Sequence, residues 1–265
     1  MFVVRKSSIL FLRRNSHSLI DAQRYPLHDR QSGIYRELRR KSREEFRRTG
    51  CLYLPKFLTD ETLQKIGEEI HRIVNDSSMN LYQSYVQHTE NLYQTSSKST
   101  NENESSSKTI IAFDQIPSQS FLRQIYSWSN LIDYIRDVIE IYPKLYPSAD
   151  PIGALYVNIY RQSNQLSWHT DHSHFFVNLL LQQASNSNEG IFQYKTLNNS
   201  SIISRTDFQA GGFVLFNGRQ YSHRVTPIVT SRLPRLNAIL TYDCTPNHHL
   251  SDYVLEKFFG RIPSK

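Results

Sequence analysis

The stretch ALYVNIYRQSNQLSWHTDHSHFFVNLLLQ, Ala154 to Gln182, contains two runs of β-branched and aromatic residues flanking a polar middle. The runs ALYVNIY and FFVNLLLQ alternate in the manner of strands, and the Arg-Gln-Ser-Asn segment between them is turn-like. Three further runs follow in the same texture: GIFQY, GGFVLFNG and RLNAILTYD, so that five strand candidates fall in about ninety residues. Short strands at this density build a sandwich or barrel, and the expected fold is α+β with a β core.

Upstream the period changes. CLYLPKFL, from Cys51, reads as a short strand ended by a proline. TDETLQKIGEEIHRIV then places Leu63, Ile66, Ile70 and Val74 at spacings of three and four, an amphipathic helix. FLRQIYSWSNLIDYIRDVI, from Phe121, repeats that spacing through Phe121, Ile125, Trp128, Leu131, Ile135 and Val138 and predicts one helix. Between the two helical segments, residues 95–109 are dominated by Ser, Thr, Asn, Lys and Glu and predict a flexible loop. The helices are expected to pack outside the β core.

The net charge of +7 is unevenly placed. Residues 1–50 hold thirteen Lys/Arg against five Asp/Glu, and the rest of the chain holds eighteen against nineteen. A near-neutral body argues against a nucleic-acid groove, which would need a basic surface. The first twenty residues are Arg- and Ser-rich and free of acids, a composition shared by organelle presequences and by ordinary basic tails; both readings stay open. RELRRKSREEFRR, from Arg36, pairs Glu with Arg at helical spacing and predicts a solvated helix face. Two units are expected: a basic extension over 1–48, in which a presequence or basic tail precedes a helix, and a catalytic domain over 49–265 containing the loop 95–109. No run approaches the eighteen apolar residues of a membrane span, and two cysteines build no disulfide framework. The expected setting is intracellular, cytoplasmic or mitochondrial.

The polar middle of the opening stretch carries the chemistry. On an extended chain His169 and Asp171 point to one side, bringing an imidazole and a carboxylate together. His223, just after the apolar run FVLF, supplies a third ligand. Two histidines and one carboxylate are the facial triad of non-haem Fe(II) oxygenases, with three coordination positions left open. A structural zinc site would instead close four protein ligands, usually with cysteine, and no cysteine accompanies this set.

VNIYRQSNQLSWHTD, GGFVLFNGRQYSHRVTPI and RLPRLNAILTYD together resemble the core of the 2-oxoglutarate- and Fe(II)-dependent dioxygenases, and HRVTPI with the following arginine and LTYD resembles the subgroup that hydroxylates or halogenates free amino acids. TGCLYLPKFLTDETLQKIGEEI is similar to the strand and helix with which many relatives begin, so the likeness runs from about Thr49 to Asp243. The resemblance implies a double-stranded β-helix, or jelly roll, with His169, Asp171 and His223 as both catalytic residues and iron ligands. It implies Fe(II) as cofactor, with 2-oxoglutarate and O2 as co-substrates.

The far carboxylate of 2-oxoglutarate needs a buried cation, and the planar fork of arginine suits it. Arg232 and Arg235 both follow His223 at suitable distances. Arg235 shares a strand face with Asn237, as the family's Arg-x-Ser pair does, and is preferred; Asn237 departs from the family's serine. Asn158 and Tyr160 match an Asn-x-Tyr motif that contacts 2-oxoglutarate in some relatives. Trp168 is expected to wall the pocket; Arg219, Tyr221 and Arg224 flank His223 and are candidates either to meet a substrate carboxylate or to form a solvated loop edge, the latter favoured for Arg224. His172 and His174 are surface or substrate-contacting residues.

Chlorinating relatives have a small residue where Asp171 stands, so the resemblance implies hydroxylation, with release of succinate and CO2. The expected partner is a small molecule, an amino acid or similar. A protein or nucleic-acid substrate and an inactive jelly-roll binding module are the alternatives. The sequence does not set the oligomeric state.

Overall fold

The computed structural model describes residues 16–87, 105–171, 173, 175–197 and 200–263. A 3-10 turn over Ser16–Leu19 leads into α1 (Gly33–Thr49), β1 (Cys51–Leu54), α2 (Asp60–Asn75), β2 (Tyr82–Gln87), β3 (Ser105–Ile111), α3 (Phe121–Tyr126) and α4 (Ser129–Ile139). There follow β4 (Tyr146–Pro147), β5 (Leu155–Tyr160), β6 (Leu166–His169), β7 (Phe176–Gln182), β8 (Phe192–Lys195), β9 (Ile202–Arg205), β10 (Phe213–Phe216), β11 (His223–Val225), β12 (Arg235–Leu240), β13 (Tyr242–Asp243) and α5 (Asp252–Phe259). All five strand candidates are strands.

The large sheet has the order β1-β10-β7-β12-β5-β3-β2, and a smaller sheet the order β6-β11-β8-β9. Every pairing in both is antiparallel. From β5 to β12 the chain passes back and forth between the two sheets. Period-two alternation gives the large sheet two different faces. Leu155, Val157 and Ile159 of β5, Val177, Leu179 and Leu181 of β7, and Leu236 and Ala238 of β12 face the helices. They pack with Ile66, Ile70 and Ile73 of α2, Leu122 and Ile125 of α3, and Leu131, Ile135 and Val138 of α4. The opposite face, turned toward the smaller sheet, carries Tyr156, Asn158 and Tyr160 of β5 and Arg235, Asn237 and Ile239 of β12. Phe192, Tyr194, Phe216 and Tyr221 belong to a second buried cluster, separate from the helix-facing core.

Three sequence expectations are corrected. The segment 121–139 is two helices: the Ser127 hydroxyl donates to the Arg123 carbonyl, competing with the helical ladder, and Trp128 is extended at φ −73°, ψ 114°. The polar loop stops short of residue 109, because residues 105–109 belong to β3, which is paired on both sides, by β2 and β5. The rest of that loop, 95–104, lies outside the described residues, as do residues 1–15, for which the presequence and basic-tail readings both stand.

The third correction concerns the boundary at residue 48, which is no seam in the fold. Leu19, Ile20, Tyr25, Leu27 and Tyr35 lie in the main hydrophobic core. Helix α1 begins where the Ser32 hydroxyl accepts from the Tyr35 amide and ends at Gly50, whose φ of 69° and abutment on the Tyr221 ring both require a residue without a side chain. Its arginines do more than face water: Arg30, just before the helix, and Arg43 and Arg47 within it bridge to Asp133 and Asp137 of α4 and to Glu140, which caps its C-terminal end. Among the described residues no helix is long and apolar enough to cross a membrane.

If residues before 48 are part of the core, truncating one of them must be costly. Leu27, fully buried, is expected to lose about 2–5 kcal/mol on Leu27→Ala, measured by urea unfolding, whereas a change in a detachable arm would cost within about 0.5 kcal/mol.

Candidate metal centre and its cavity

The site begins with one cross-strand pair. His169 ends β6 and His223 begins β11, and the two are direct partners in the antiparallel ladder. Their rings lie 4.1 Å apart between centroids. Asp171 follows in the loop after β6, its amide donating to the Gly218 carbonyl at 2.9 Å. Its Oδ1 is 3.4 Å from His169 Nε2 and its Oδ2 is 3.6 Å from His223 Nε2. The three ligand atoms lie within 4.8 Å of one another.

These groups fit a metal ion. His169 Nδ1 is 2.8 Å from the Ser167 carbonyl and His223 Nδ1 is 3.0 Å from the Tyr221 carbonyl. A carbonyl only accepts, so each Nδ1 carries the proton and each Nε2 presents its lone pair to the shared centre. Ligand atoms on adjacent vertices around a metal at about 2.1 Å sit about 3 Å apart, close to the observed separations. Burial, reinforced by His169, pushes His223 down to about 4, so it stays neutral and ready to ligate. Burial alone would raise Asp171, but His223, His169 and Lys108 outweigh it and hold the carboxyl below its usual range.

A residue that sequence reasoning missed keeps the carboxylate in place. A β-carbon on Gly218 would overlap Asp171 Oδ2. A larger residue at 218 would therefore push the carboxylate out of this position.

The triad opens into a cavity of about 230 Å3 between the sheets, closed on one side by Leu250, Val254 and Phe258 of α5 and the segment preceding it. Arg235 lies in it, 4% exposed. Its Nη1 donates to Asn237 Oδ1 at 2.6 Å, its guanidinium is 5.7 Å from the Tyr160 ring, and no carboxylate lies within ion-pair distance among the described residues. Asn158 Oδ1 and Asn178 Oδ1, in the same cavity, are buried without partners. Such groups are costly unless something arrives to meet them.

The structure thus gathers His169, Asp171, His223, Arg235, Asn237, Asn158 and Tyr160 around one cavity. It does not bring Arg232 there. Arg232 is exposed on the turn before β12, its amide donating to the Ser185 hydroxyl. Trp168 does not wall the cavity either: strand alternation turns it outward, where Lys195 and Arg224 stack on it at 4.6 and 4.7 Å. Arg219 is exposed, Arg224 is held by Gln193, and Tyr221 packs in the aromatic cluster, so none of the three lines the cavity. His172 and His174 lie outside the described residues.

The cavity holds one further charge that the sequence reading assigned to a loop. Lys108, on β3, is 6% exposed and lines the cavity, with Nζ 5.5 Å from the centre of the Phe258 ring. Burial pushes it down to about 8, against the attraction of Asp171. The usable signal was the β-branched run Thr109, Ile110, Ile111 immediately after it, which marks a strand end within the serine-rich texture.

The sequence matches no known family profile, and no curated protein matches it. In fold it is similar to several solved structures. One is a 2OG-Fe(II) oxygenase family oxidoreductase from Burkholderia pseudomallei (12% identity, 77% of this chain and 90% of that one, TM-score 0.52). Another is a prolyl-4-hydroxylase from Pseudomonas putida (14%, 76% and 96%, TM-score 0.52). A third is a non-heme α-ketoglutarate-dependent epimerase from nogalamycin biosynthesis (12%, 78% and 83%, TM-score 0.56). At these identities the likeness is one of fold: the chain has the architecture on which 2OG-Fe(II) oxygenases are built, with a His-Asp-His group able to hold a metal.

Two outcomes test the centre. Gly218→Ala should weaken Mn(II) or Fe(II) binding about tenfold or more, read by calorimetry, with the far-ultraviolet circular dichroism unchanged. The metal-free protein should also lose stability as pH falls from 6.5 toward about 4. In that window the unfolded chain protonates a histidine that folded His223, with its depressed value, refuses. The melting temperature should drop across that range in the wild type and more shallowly in His223→Gln.

Proposed function

We propose that the chain is a non-haem Fe(II)- and 2-oxoglutarate-dependent oxygenase that hydroxylates a small molecule and releases succinate and CO2. The observation that carries this reading is a buried guanidinium with no anionic partner, Arg235, in the same cavity as the His169, Asp171, His223 group. A metal site alone fits many reactions. Adding a fork-shaped cation in a water-poor recess selects a co-substrate with a carboxylate at the end remote from the metal.

When bound, Fe(II) activates dioxygen, using the oxidative decarboxylation of 2-oxoglutarate as the source of electrons. The chain's own residues bind and orient. His169 and His223 hold their Nε2 lone pairs forward through their Nδ1 hydrogen bonds. Arg235 receives the distal carboxylate, with its stem packed beside Gly190 and Asn237 fixing its fork. Tyr160 and Asn158 border the same end. The alternation of β5 to β12 between the two sheets supports reading the core as a double-stranded β-helix. The enclosure of the cavity by α5 supports a small substrate, of which a free amino acid is one kind. Asp171, set between both imidazoles, supports hydroxylation over chlorination.

Fe(II)-loaded protein should convert 2-oxoglutarate to succinate, and His223→Ala should abolish this; conversion by that variant at the wild-type rate would remove the ligand assignment. Arg235→Ala leaves the incoming carboxylate unpaired and should weaken 2-oxoglutarate binding by about 2–5 kcal/mol, measured by calorimetry with Mn(II) in place of Fe(II). Arg232→Ala should leave it unchanged, and the reverse order would transfer the role to Arg232.

A further inference from the structure

The proposed function accounts for one buried cation in the cavity, and the cavity contains two. Thr109 pairs with Ile159 and Tyr160 pairs with Arg235, so Lys108, Tyr160 and Arg235 lie in one row across β3, β5 and β12. Two strand spacings separate Lys108 from Arg235, roughly 10 Å between backbones, with the Tyr160 ring between them. Like Arg235, Lys108 has no carboxylate at ion-pair distance among the described residues, and unlike Arg235, which donates to Asn237, its ammonium group has no side-chain hydrogen-bond partner there; it lies against the Phe258 ring. The two cations border different walls. Arg235 is packed by Gly190 and Ile228 near the turn before β8, whereas Lys108 faces α5.

We propose, resting on the oxygenase reading, that Lys108 is the receptor for a carboxylate on the primary substrate, and that this substrate is a carboxylic acid with an apolar body and no charged amine. The co-substrate has two carboxyl ends, one for the metal and one for Arg235, and leaves none for Lys108. The wall beside Lys108 is apolar: Leu250, Val254 and Phe258 from the α5 side, with Tyr156 and Ile239 from the sheet. A zwitterionic amino acid would also need an anion for its ammonium group, and Asp171, occupied by the metal, is the sole carboxylate among the described lining residues. The proposal therefore narrows the small-molecule substrate away from free amino acids. Lys108 and the triad line the same cavity, so a substrate anchored at Lys108 would share it with the metal centre.

The test uses the full-length protein loaded with Mn(II), with and without 2-oxoglutarate. It is titrated calorimetrically with a panel of aromatic and branched aliphatic monocarboxylates, their primary amides and the matching α-amino acids. At least one carboxylate should bind about tenfold or more tightly than its amide, the size of a lost hydrogen bond to a charged group, and more tightly than the amino acid. Lys108→Met should erase that preference, Lys108→Arg should keep part of it, and 2-oxoglutarate affinity should be unchanged in Lys108→Met while it falls in Arg235→Ala. Because the methionine removes a buried charge, its melting temperature should equal or exceed that of the wild type, a readout independent of turnover. The wild-type comparison of acid with amide needs no variant to fold. The proposal is overturned if no acid is preferred to its amide, if the amino acids bind best, or if Lys108→Met weakens 2-oxoglutarate as Arg235→Ala does. Failure of the wild type to bind 2-oxoglutarate would instead sink the oxygenase reading, while the acid-amide comparison on the Mn(II) protein still decides the role of Lys108.

Discussion

The ladder contact between β6 and β11 is the constraint from which the site follows. Antiparallel pairing sets His169 and His223 opposite each other, at the separation that lets two Nε2 lone pairs share a metal. A slip of one residue would turn one imidazole to the outer face, where Trp168 now stacks between Lys195 and Arg224. The register is held on both sides of β11, since His223 also faces Tyr194 of β8. Asp171 depends on this pairing in turn, because its loop is tied to the Gly218 carbonyl in the turn leading to His223.

Around that centre the interior tolerates charges that a core built for stability alone would avoid. Arg235 and Lys108 are buried as cations without anions, and two asparagine oxygens in the same cavity lack donors. Isolated buried charge is unfavourable, and here the helix-facing side of the same sheet offsets it. That side is one continuous hydrophobic core, to which the N-terminal segment, α2, α3, α4 and the sheet all contribute. One sheet thus separates the two demands, apolar packing on one face and solvent-excluded polarity on the other.

The basic character of the chain has an internal use in its first helix. Arg30, just before it, and Arg39, Arg43 and Arg47 converge on Asp133 and Asp137 of α4 and on Glu140 at its C-terminal cap. Partly exposed pairs of this kind contribute little one by one and more as a network. Their visible effect is to dock α1 over α4, with the Tyr134 hydroxyl donating to Ser42 beneath. Part of the positive charge that sequence alone locates in the head is thereby matched within the fold.

What the sequence by itself determined was whatever depends on local period: the alternating runs at Leu155, Phe176, Phe192, Phe213 and Arg235, the amphipathic helix at Asp60, and the placement of His169 and Asp171 on one side of an extended chain. Strand alternation also put Arg235 with Asn237, and Asn158 with Tyr160. The tertiary structure decided what depends on which strands become neighbours. Arg235 and Arg232 both follow His223 in sequence, and only the fold shows that Arg235 faces inward from a central strand while Arg232 is exposed on the turn before it. Gly218 and Lys108 escaped for the same reason: a missing β-carbon matters only because Asp171 packs against it, and a lysine among serines becomes a cavity charge only because β2 and β5 enclose β3. Leu19 to Leu27 likewise read as part of a basic tail until the core closes over them, because long-range burial leaves no periodic trace in so short a stretch.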